Sequence, residues 1–478
     1  MAEDKASADD LSEFFSSLPY SYRVSHLTKE IRDNYKEFEG KQVSVAGRVV
    51  AIRKSGKLIF VDLLDGSGKI QAYFDYSILG EKAFNEAKRL NRGDIIGING
   101  TVFKTTPGEI SVKLKEYALL SKAMQTLPDK WHGLQDVELR YRKRYLDLIM
   151  NPEAREIFIK RSKITSLIRS HLDGKGFVEF ETPTIQPLYG GAEAEPFRVF
   201  VNTLNEQHYL RISDELYLKK LIIGGFERVY EIYKAFRNED IDSLHSPEFT
   251  MIEVYWAYAD YNDMMKLTEE LLQSIAKELF GSTTFEYQGK KINLKAPFKR
   301  INYVNSISEA AKVDISKLSD EEVLELAEKH GIRFEKGKRN RSHAYDKLFS
   351  LLVQPSVIQP TFVIDYPKES SPLTRAKRGD LKLVERFELF AGGILELANA
   401  YSELNNPIVQ RENFEFEMKK MKEGDKEAEP LDMDFINAME HGMPPTGGLG
   451  IGIDRLVMLF TDKASIKEVI LFPLEKRA

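Results

Sequence analysis

The chain of 478 residues contains no cysteine. That absence removes disulfides, thiolate metal sites and cysteine nucleophiles together. Histidine is sparse as well, eight in all and scattered without metal-ligand spacing, so any metal is expected to be a hard cation on carboxylates and not zinc. No stretch approaches the uninterrupted apolar length that a membrane helix requires. The opening MAEDKASADDLSEFF lacks the basic-then-apolar order of a secretory signal, and a soluble cytoplasmic protein is expected. A strong excess of one charge is also missing: 69 Lys and Arg stand against 74 Asp and Glu, for a net charge of −5. Nucleic-acid binding, if present, must therefore use local basic patches.

What is present is length and patterned hydrophobicity. With 42% hydrophobic residues the chain can bury a sizeable interior, and its length predicts two or three domains. Residues 1–24 read as a mobile, acidic and Ser-rich tail. Within 25–130, QVSVAGRVVAIR, KLIFVDLLD, GKIQAYFDY, DIIGINGTVFKT and EISVKLKEYALL are five strand-like runs, and LGEKAFNEAKRL has helical spacing between the third and fourth. That order is the order of an OB-fold barrel, a fold that often stacks single-stranded bases on exposed aromatics. Phe60 and Gln71 fall on its second and third strands, and Arg48, Arg53 and Lys54 lie on or after its first. Phe60 fits either a barrel-core residue or a stacking platform.

Residues 131–151 carry the basic run LRYRKRYLDLI, which suits either a connector near phosphates or a charged linker. From Pro152 a long amphipathic helix, with Phe158, Ile164, Leu167, Ile168 and Leu172 on one stripe, leads into the strand FVEFETP. Together they form an exposed edge that could pair with a copy of itself. YGGAEAEPF then supplies adjacent glycines, Gly190 and Gly191, where backbone can approach a ligand closely. Glu215 stands near the start of the next helix, where it could simply complement the helix dipole.

Residues 228–261 read as a hairpin with charge where a core sheet would be apolar. Alternation puts Glu231, Tyr233 and Arg237 on one face of the first strand, and Phe249, Met251, Glu253 and Tyr255 on one face of the second. Such charges must be solvated, paired or facing a ligand. The region from about 264 to 340 reads as a peripheral insertion without chemistry, including a capping box at Ser319 and Glu322. Beyond it, ERFELFAGGILELANAYSELN places Glu388 and Glu396 on either side of a Gly-Gly turn, followed by Asn399, Tyr401 and Glu403 in alternation. Strict alternation sets Glu396 and Asn399 on opposite faces, so a bulge between them is expected if all these residues line one site. Last, GMPPTGGLGIGIDR brings a glycine run up to Asp454 and Arg455 in the first turn of a helix.

These pieces in this order resemble the class II aminoacyl-tRNA synthetases of the subclass for aspartate, asparagine and lysine, and within it those for lysine. The helix and strand ending at Pro183 resemble motif 1, FRNEDIDSLHSPEFT resembles motif 2 and its loop, and GGLGIGIDR resembles motif 3. The resemblance implies an α+β multidomain protein: an OB-fold anticodon-binding barrel followed, over 152–478, by an antiparallel-sheet catalytic domain. It implies a ligase that activates L-lysine with ATP and Mg2+, charges tRNA(Lys), and works as a homodimer.

By position, Arg237 and Arg455 match the phosphate-binding, catalytic arginines. Phe249 matches the adenine platform, and Glu239 and His245 the contacts from the motif 2 loop. Glu388 also belongs to the ATP site, and with Glu396 it matches the magnesium carboxylates. Gly191, Glu215, Glu253, Tyr255, Asn399, Tyr401 and Glu403 match the lysine pocket. Phe60, Gln71, Glu109 and Arg48 match the anticodon contacts. Glutamate at 215, where an aspartate or asparagine enzyme would carry glutamine, favours lysine. The family pattern is departed from at Glu195, Asp214, Asp240 and Ser246, and by one extra residue between Glu388 and Glu396. Two other readings are a paralogue that joins a lysine-like amino acid to a protein and a non-catalytic tRNA-binding protein.

Overall fold

The computed structural model describes residues 8–128, 136–334, 339–422 and 426–476. They fall into two compact units that divide between residues 135 and 136. In the first unit, strands β1 (Gln42–Ser55), β2 (Leu58–Leu64), β3 (Lys69–Asp75), β4 (Ile95–Lys104) and β5 (Ile110–Ser121) close into a barrel in the order β1-β2-β3-β5-β4. The expected helix stands between β3 and β4, at Tyr76–Ala87. Period-two alternation fills the barrel: Ile59, Val61 and Leu63 of β2 are buried in one cluster with Val45, Ile70 and Ile98. Part of the expected tail is ordered, since Ala8–Ser16 forms a helix; residues 1–7 lie outside the described residues.

The second unit begins with two short helices, Val137–Arg142 and Arg144–Met150, on the stretch expected to be a linker. The described part of that stretch is anchored. Arg144 is 2% exposed and donates to the carbonyls of Lys467 (2.8 Å) and Leu471 (3.1 Å) and to Asp147 (2.6 Å). A buried arginine needs every donor met, and here helix and C-terminal carbonyls meet them. The long helix α1 (Pro152–Asp173) follows with Pro152 in its first turn, where a missing N–H costs nothing. Its inner stripe is Ile157, Ile164, Ile168 and Leu172; Phe158 is only half-buried, against the Arg144 guanidinium.

The floor of this unit is a nine-stranded sheet. Its edge strand β6 is only Val178–Glu179, shorter than expected, and runs parallel to β7 (Arg228–Phe236). β7 pairs antiparallel with β8 (Glu248–Ala257), which confirms the charged hairpin. Beyond it come β9 (Lys299–Asn302), β10 (Thr361–Pro367), β11 (Asp380–Ala391), β12 (Leu395–Ser402) and β13 (Thr446–Gly452), and the main path runs β9-β10-β11-β12-β13-β8-β7-β6. The glycine run is therefore itself a central strand, between β12 and β8, leading into helix α2 (Ile453–Thr461).

The anticipated bulge is present. Leu389 pairs with Ala398 but Phe390 pairs with Glu396, so Leu397 is the extra residue in β12. Glu388 faces Asn399 across the ladder, and the bulge turns Glu396 onto their face. The Gly-Gly turn beside it has φ of +69° at Gly392 and +85° at Gly393, which β-carbon-bearing residues resist. The capping box at Ser319 and Glu322 is present too. The insertion is not merely peripheral, however. Tyr303, Asp320 and Asn340 line a cavity of about 1010 Å³ whose other walls include Glu388, Glu396 and Arg455.

Candidate active site

One end of the site is built by the hairpin and by α2. Arg237 follows β7, its guanidinium 5.1 Å from the centre of the Phe249 ring. Its Nε is buried without a hydrogen-bond partner among the described residues. A buried donor of that kind is costly unless a ligand accepts from it. Arg455 lies across from the hairpin loop, Nη1 3.3 Å from Glu396 Oε2 and Nη2 3.2 Å from His245 Nε2. His245 Nδ1 lies 2.8 Å from Asp242, which assigns the proton to Nδ1 and leaves Nε2 to accept from Arg455. Glu239 and Asp240 are exposed in the loop. Glu195 stands 3.6 Å from Lys426, which offsets its added charge.

Glu388 accepts from Tyr366 Oη at 2.8 Å and from Arg386, which itself donates to Asn399 Oδ1 (3.2 Å) and Ser371 Oγ (2.9 Å). Burial raises the Glu388 carboxyl to about 7, with Arg386 pulling it down and Glu396 pushing it up. Two carboxylates that repel each other on one face fit a hard divalent cation. Among the described residues no third acid or histidine completes a metal group, so a cation held here would take its other ligands from outside the protein.

The inner end is a cavity of about 290 Å³ that includes Gly191, Glu215, Arg237, Glu253, Tyr255 and Tyr401 in its lining. Glu253 accepts from three hydroxyls, Ser213 (2.9 Å), Tyr233 (2.7 Å) and Tyr255 (2.8 Å). Three hydroxyl donors satisfy the buried oxygens of this side chain. Tyr401 Oη accepts from Asn399 Nδ2 at 2.7 Å. Burial raises Glu215 to about 7 and Glu403 to about 8, and Lys219 pulls both down. Gly191 has φ of +84°, and a Cβ there would lie 2.8 Å from both Glu215 Cβ and Ser213 Oγ. On the other side, a Cβ on Gly448 would fall 1.8 Å from Glu403 Oε1 and 2.7 Å from the Tyr255 ring. Glycine is needed at both walls.

Comparison with known proteins now decides the family. Residues 136–476 match the model of tRNA synthetases class II (D, K and N), and residues 43–120 match the OB-fold nucleic acid binding domain. The chain belongs to the class II tRNA synthetases of the aspartate, lysine and asparagine group. It is 51% identical over 462 residues to the lysine–tRNA ligase of Pelotomaculum thermopropionicum, covering 96% of this chain and 91% of that protein. The lysine–tRNA ligases of Clostridium novyi and Carboxydothermus hydrogenoformans are each 50% identical, with 96% and 95% of this chain covered and 90% and 94% of theirs.

In this synthetase, Gly191, Glu215, Arg237, Glu253, Tyr255, Asn399 and Tyr401 line the smaller cavity and His245 and Arg455 the larger, whereas Glu239, Phe249 and Glu403 line neither. Glu388 and Glu396 line both cavities. Sequence reasoning missed several neighbours. Lys219 is fully buried between Glu215 and Glu403; its spacing four residues after Glu215 on one helix was the available signal. Arg386, two residues before Glu388, was hidden in the same alternation. Asp214 is fully buried with both carboxylate oxygens unpartnered among the described residues, and burial beside Glu253 holds it well above the usual carboxylate range.

In the barrel unit, Phe60 points away from the core that its neighbours Ile59 and Val61 fill. It joins Tyr73 (5.3 Å between centroids) and, through it, Phe103 (5.4 Å) in a row of edge-to-face rings. Gln71 accepts from Ser111 Oγ at 2.9 Å, and Ser111 lies two residues after Glu109. Arg48 is not brought to this row. It pairs with Leu64, at the far end of β2 from Phe60, and donates to the Gly93 carbonyl at 2.8 Å.

Proposed function

We infer that this protein activates L-lysine with ATP and transfers the lysyl group to tRNA(Lys). The observation that carries the reading is the inner cavity, where Glu215, Glu253 and Tyr255 line the wall and Glu403 stands behind it beside Gly448 and Tyr255, within a synthetase scaffold. Lysine brings two ammonium groups, and carboxylates with aligned hydroxyls are the partners those groups require. An aspartate side chain would bring a like charge to the carboxylates Glu215 and Glu253.

The lysine carboxylate oxygen attacks the α-phosphorus of ATP in line. A carboxyl–phosphorus anhydride bond forms as the bond to the bridging oxygen of pyrophosphate breaks, and no protein nucleophile takes part. Arg237 holds the oxygens of the α-phosphate, and Phe249 stacks on adenine, while Arg455, oriented by His245, meets the terminal phosphates, with Glu239 reaching the nucleotide from the loop. Glu388 and Glu396 would hold Mg2+, which when bound neutralises polyphosphate charge. A hydroxyl of the terminal adenosine of tRNA then displaces AMP from the lysyl carbonyl.

The barrel reads the anticodon by stacking on Phe60, with Gln71 and Glu109 meeting base edges. A second copy of the chain covers the edge formed by α1 and β6, where Ile159 is 57% and Val178 49% exposed. The protein works in the cytoplasm; no described helix is long and apolar enough to cross a membrane.

Pyrophosphate exchange with a panel of amino acids tests the reading. Exchange is expected with lysine, and exchange with aspartate or asparagine in its place would overturn it. Phe60→Ala is expected to lower tRNA charging by about ten- to a hundredfold, the equivalent of one lost base stack, while lysine-dependent exchange stays near the parent value. Equal loss of both would remove the barrel from anticodon reading.

A further inference from the structure

Lys219 has no assigned part in the reaction, yet it lies buried behind the wall of the amino-acid pocket, between two of the acids expected to serve it. It sits on the helix Glu215–Ile223, its side chain is 0% exposed, and its ammonium lies 2.5 Å from Glu403 Oε2 while also donating to Glu215 Oε1. The Tyr255 ring centre is 5.9 Å away. Burial works against this charge, and the two glutamates outweigh it, so the Lys219 ammonium is held charged above its ordinary range. Most ion pairs with this geometry are local staples. This one differs because both of its partners are the acids expected to receive the substrate's ammonium groups.

We propose that Lys219 is the positioning residue of the amino-acid pocket: an internal ammonium that bridges Glu215 and Glu403, fixes their carboxylates and favours their charged form, ready for a substrate that carries ammonium groups. The inference rests on the lysine reading above. Lys219 bridges Glu215 and Glu403 and pulls both toward their charged form against the burial that raises them. Without it the burial would act alone, and both acids would protonate more readily. Glu403 Oε1 and Oε2 are both buried without a hydrogen-bond partner among the described residues, so the ion pair with Lys219 is what holds this carboxylate.

Other groups facing this cluster do not replace that cation. Glu253 and Tyr255 come from β8, and Tyr401 from β12; each brings a hydroxyl or another negative charge. Glu429, from the segment following the helix Pro407–Lys422, is fully buried, and burial beside Glu215 holds it well above the usual carboxylate range. Asp214 is raised in the same direction.

The test is the pH profile of lysine-dependent pyrophosphate exchange in full-length protein. For Lys219→Met, which keeps the length and removes the charge, the KM for lysine is expected to rise at least about tenfold while the KM for ATP changes less than about twofold. The acidic limb of kcat/KM for lysine is expected to move up by about one pH unit, because carboxylates that lose a cation protonate more readily. Lys219→Arg, which restores the cation, should return that limb to its original position. A Met variant with unchanged limb and lysine KM, or one that loses lysine and ATP turnover equally at every pH, overturns the proposal. If Lys219→Met does not fold, Lys219→Arg decides: a limb at the parental pH supports the proposal and a displaced limb overturns it. A parent protein inactive with lysine sinks the function reading and this inference with it. A lysine-active parent with an indifferent Met variant sinks this inference alone.

Discussion

Replacing Arg237 by alanine is expected to cut lysine-dependent pyrophosphate exchange by about 10²- to 10³-fold, the loss that follows removal of one preorganised donor to a developing charge. The guanidinium is preorganised in two ways. Its face is set against Phe249 at 5.1 Å, and its Nε is buried with no hydrogen-bond partner among the described residues. No protein acceptor has to be released before a phosphate oxygen can be met. Most of the loss should fall on kcat, because charge on the α-phosphoryl oxygens rises in the transition state. Arg237→Lys should recover little, since a single ammonium cannot reproduce a fork resting on an aromatic ring. Exchange rates measured across a range of ATP concentrations check this. A near-parental rate for Arg237→Ala would take Arg237 out of the reaction.

The second large effect is expected at a residue without a side chain. Gly448→Ala should lower kcat/KM for lysine by about 10²-fold, because its methyl group would fall 1.8 Å from Glu403 Oε1 and 2.7 Å from the Tyr255 ring. Neither can stay where it is, and a displacement of about 1 Å at a binding group is enough for that loss. Folding should suffer less, by about 1–3 kcal/mol, the usual penalty of an added methyl in packed surroundings. Thermal unfolding separates the two effects. A variant with parental kcat/KM for lysine would mean that Glu403 and Tyr255 do not define the pocket as described.

How much of this was legible in the chain varies with the range of the interactions. The barrel was readable because each strand carries its own alternation and each turn its own Gly or Asp. The bulge was readable for a different reason: Glu396 and Asn399 could not share a face without it, so function and pleat contradicted each other locally. Phe60 was ambiguous because one aromatic on a strand looks alike from either face. The buried neighbours Ile59 and Val61 resolve it by parity. Arg144 was misread as linker charge because its partners, the carbonyls of Lys467 and Leu471, lie more than three hundred residues away. Lys219 was hidden for a similar reason. In ELYLKKLII a lysine looks like the solvent face of an amphipathic helix, and only the approach of Glu403 from another strand shows that it points inward. The insertion's contribution to the larger cavity is likewise a tertiary fact, and Tyr303, Asp320 and Asn340 carry no local mark of it.

The strand β13, with Gly448 and Gly450 against the pocket, has a bearing on redesign. Engineering a binding site for a bulkier amino acid usually begins by trimming side chains, and this wall has none to trim. Added volume would have to come from the flanking strands, from Tyr255 or Tyr401, whose rings also carry the hydroxyls of the polar network. Size and charge selectivity are thus mounted on the same rings, and a variant that admits a larger substrate is expected to surrender part of its preference for a cationic one.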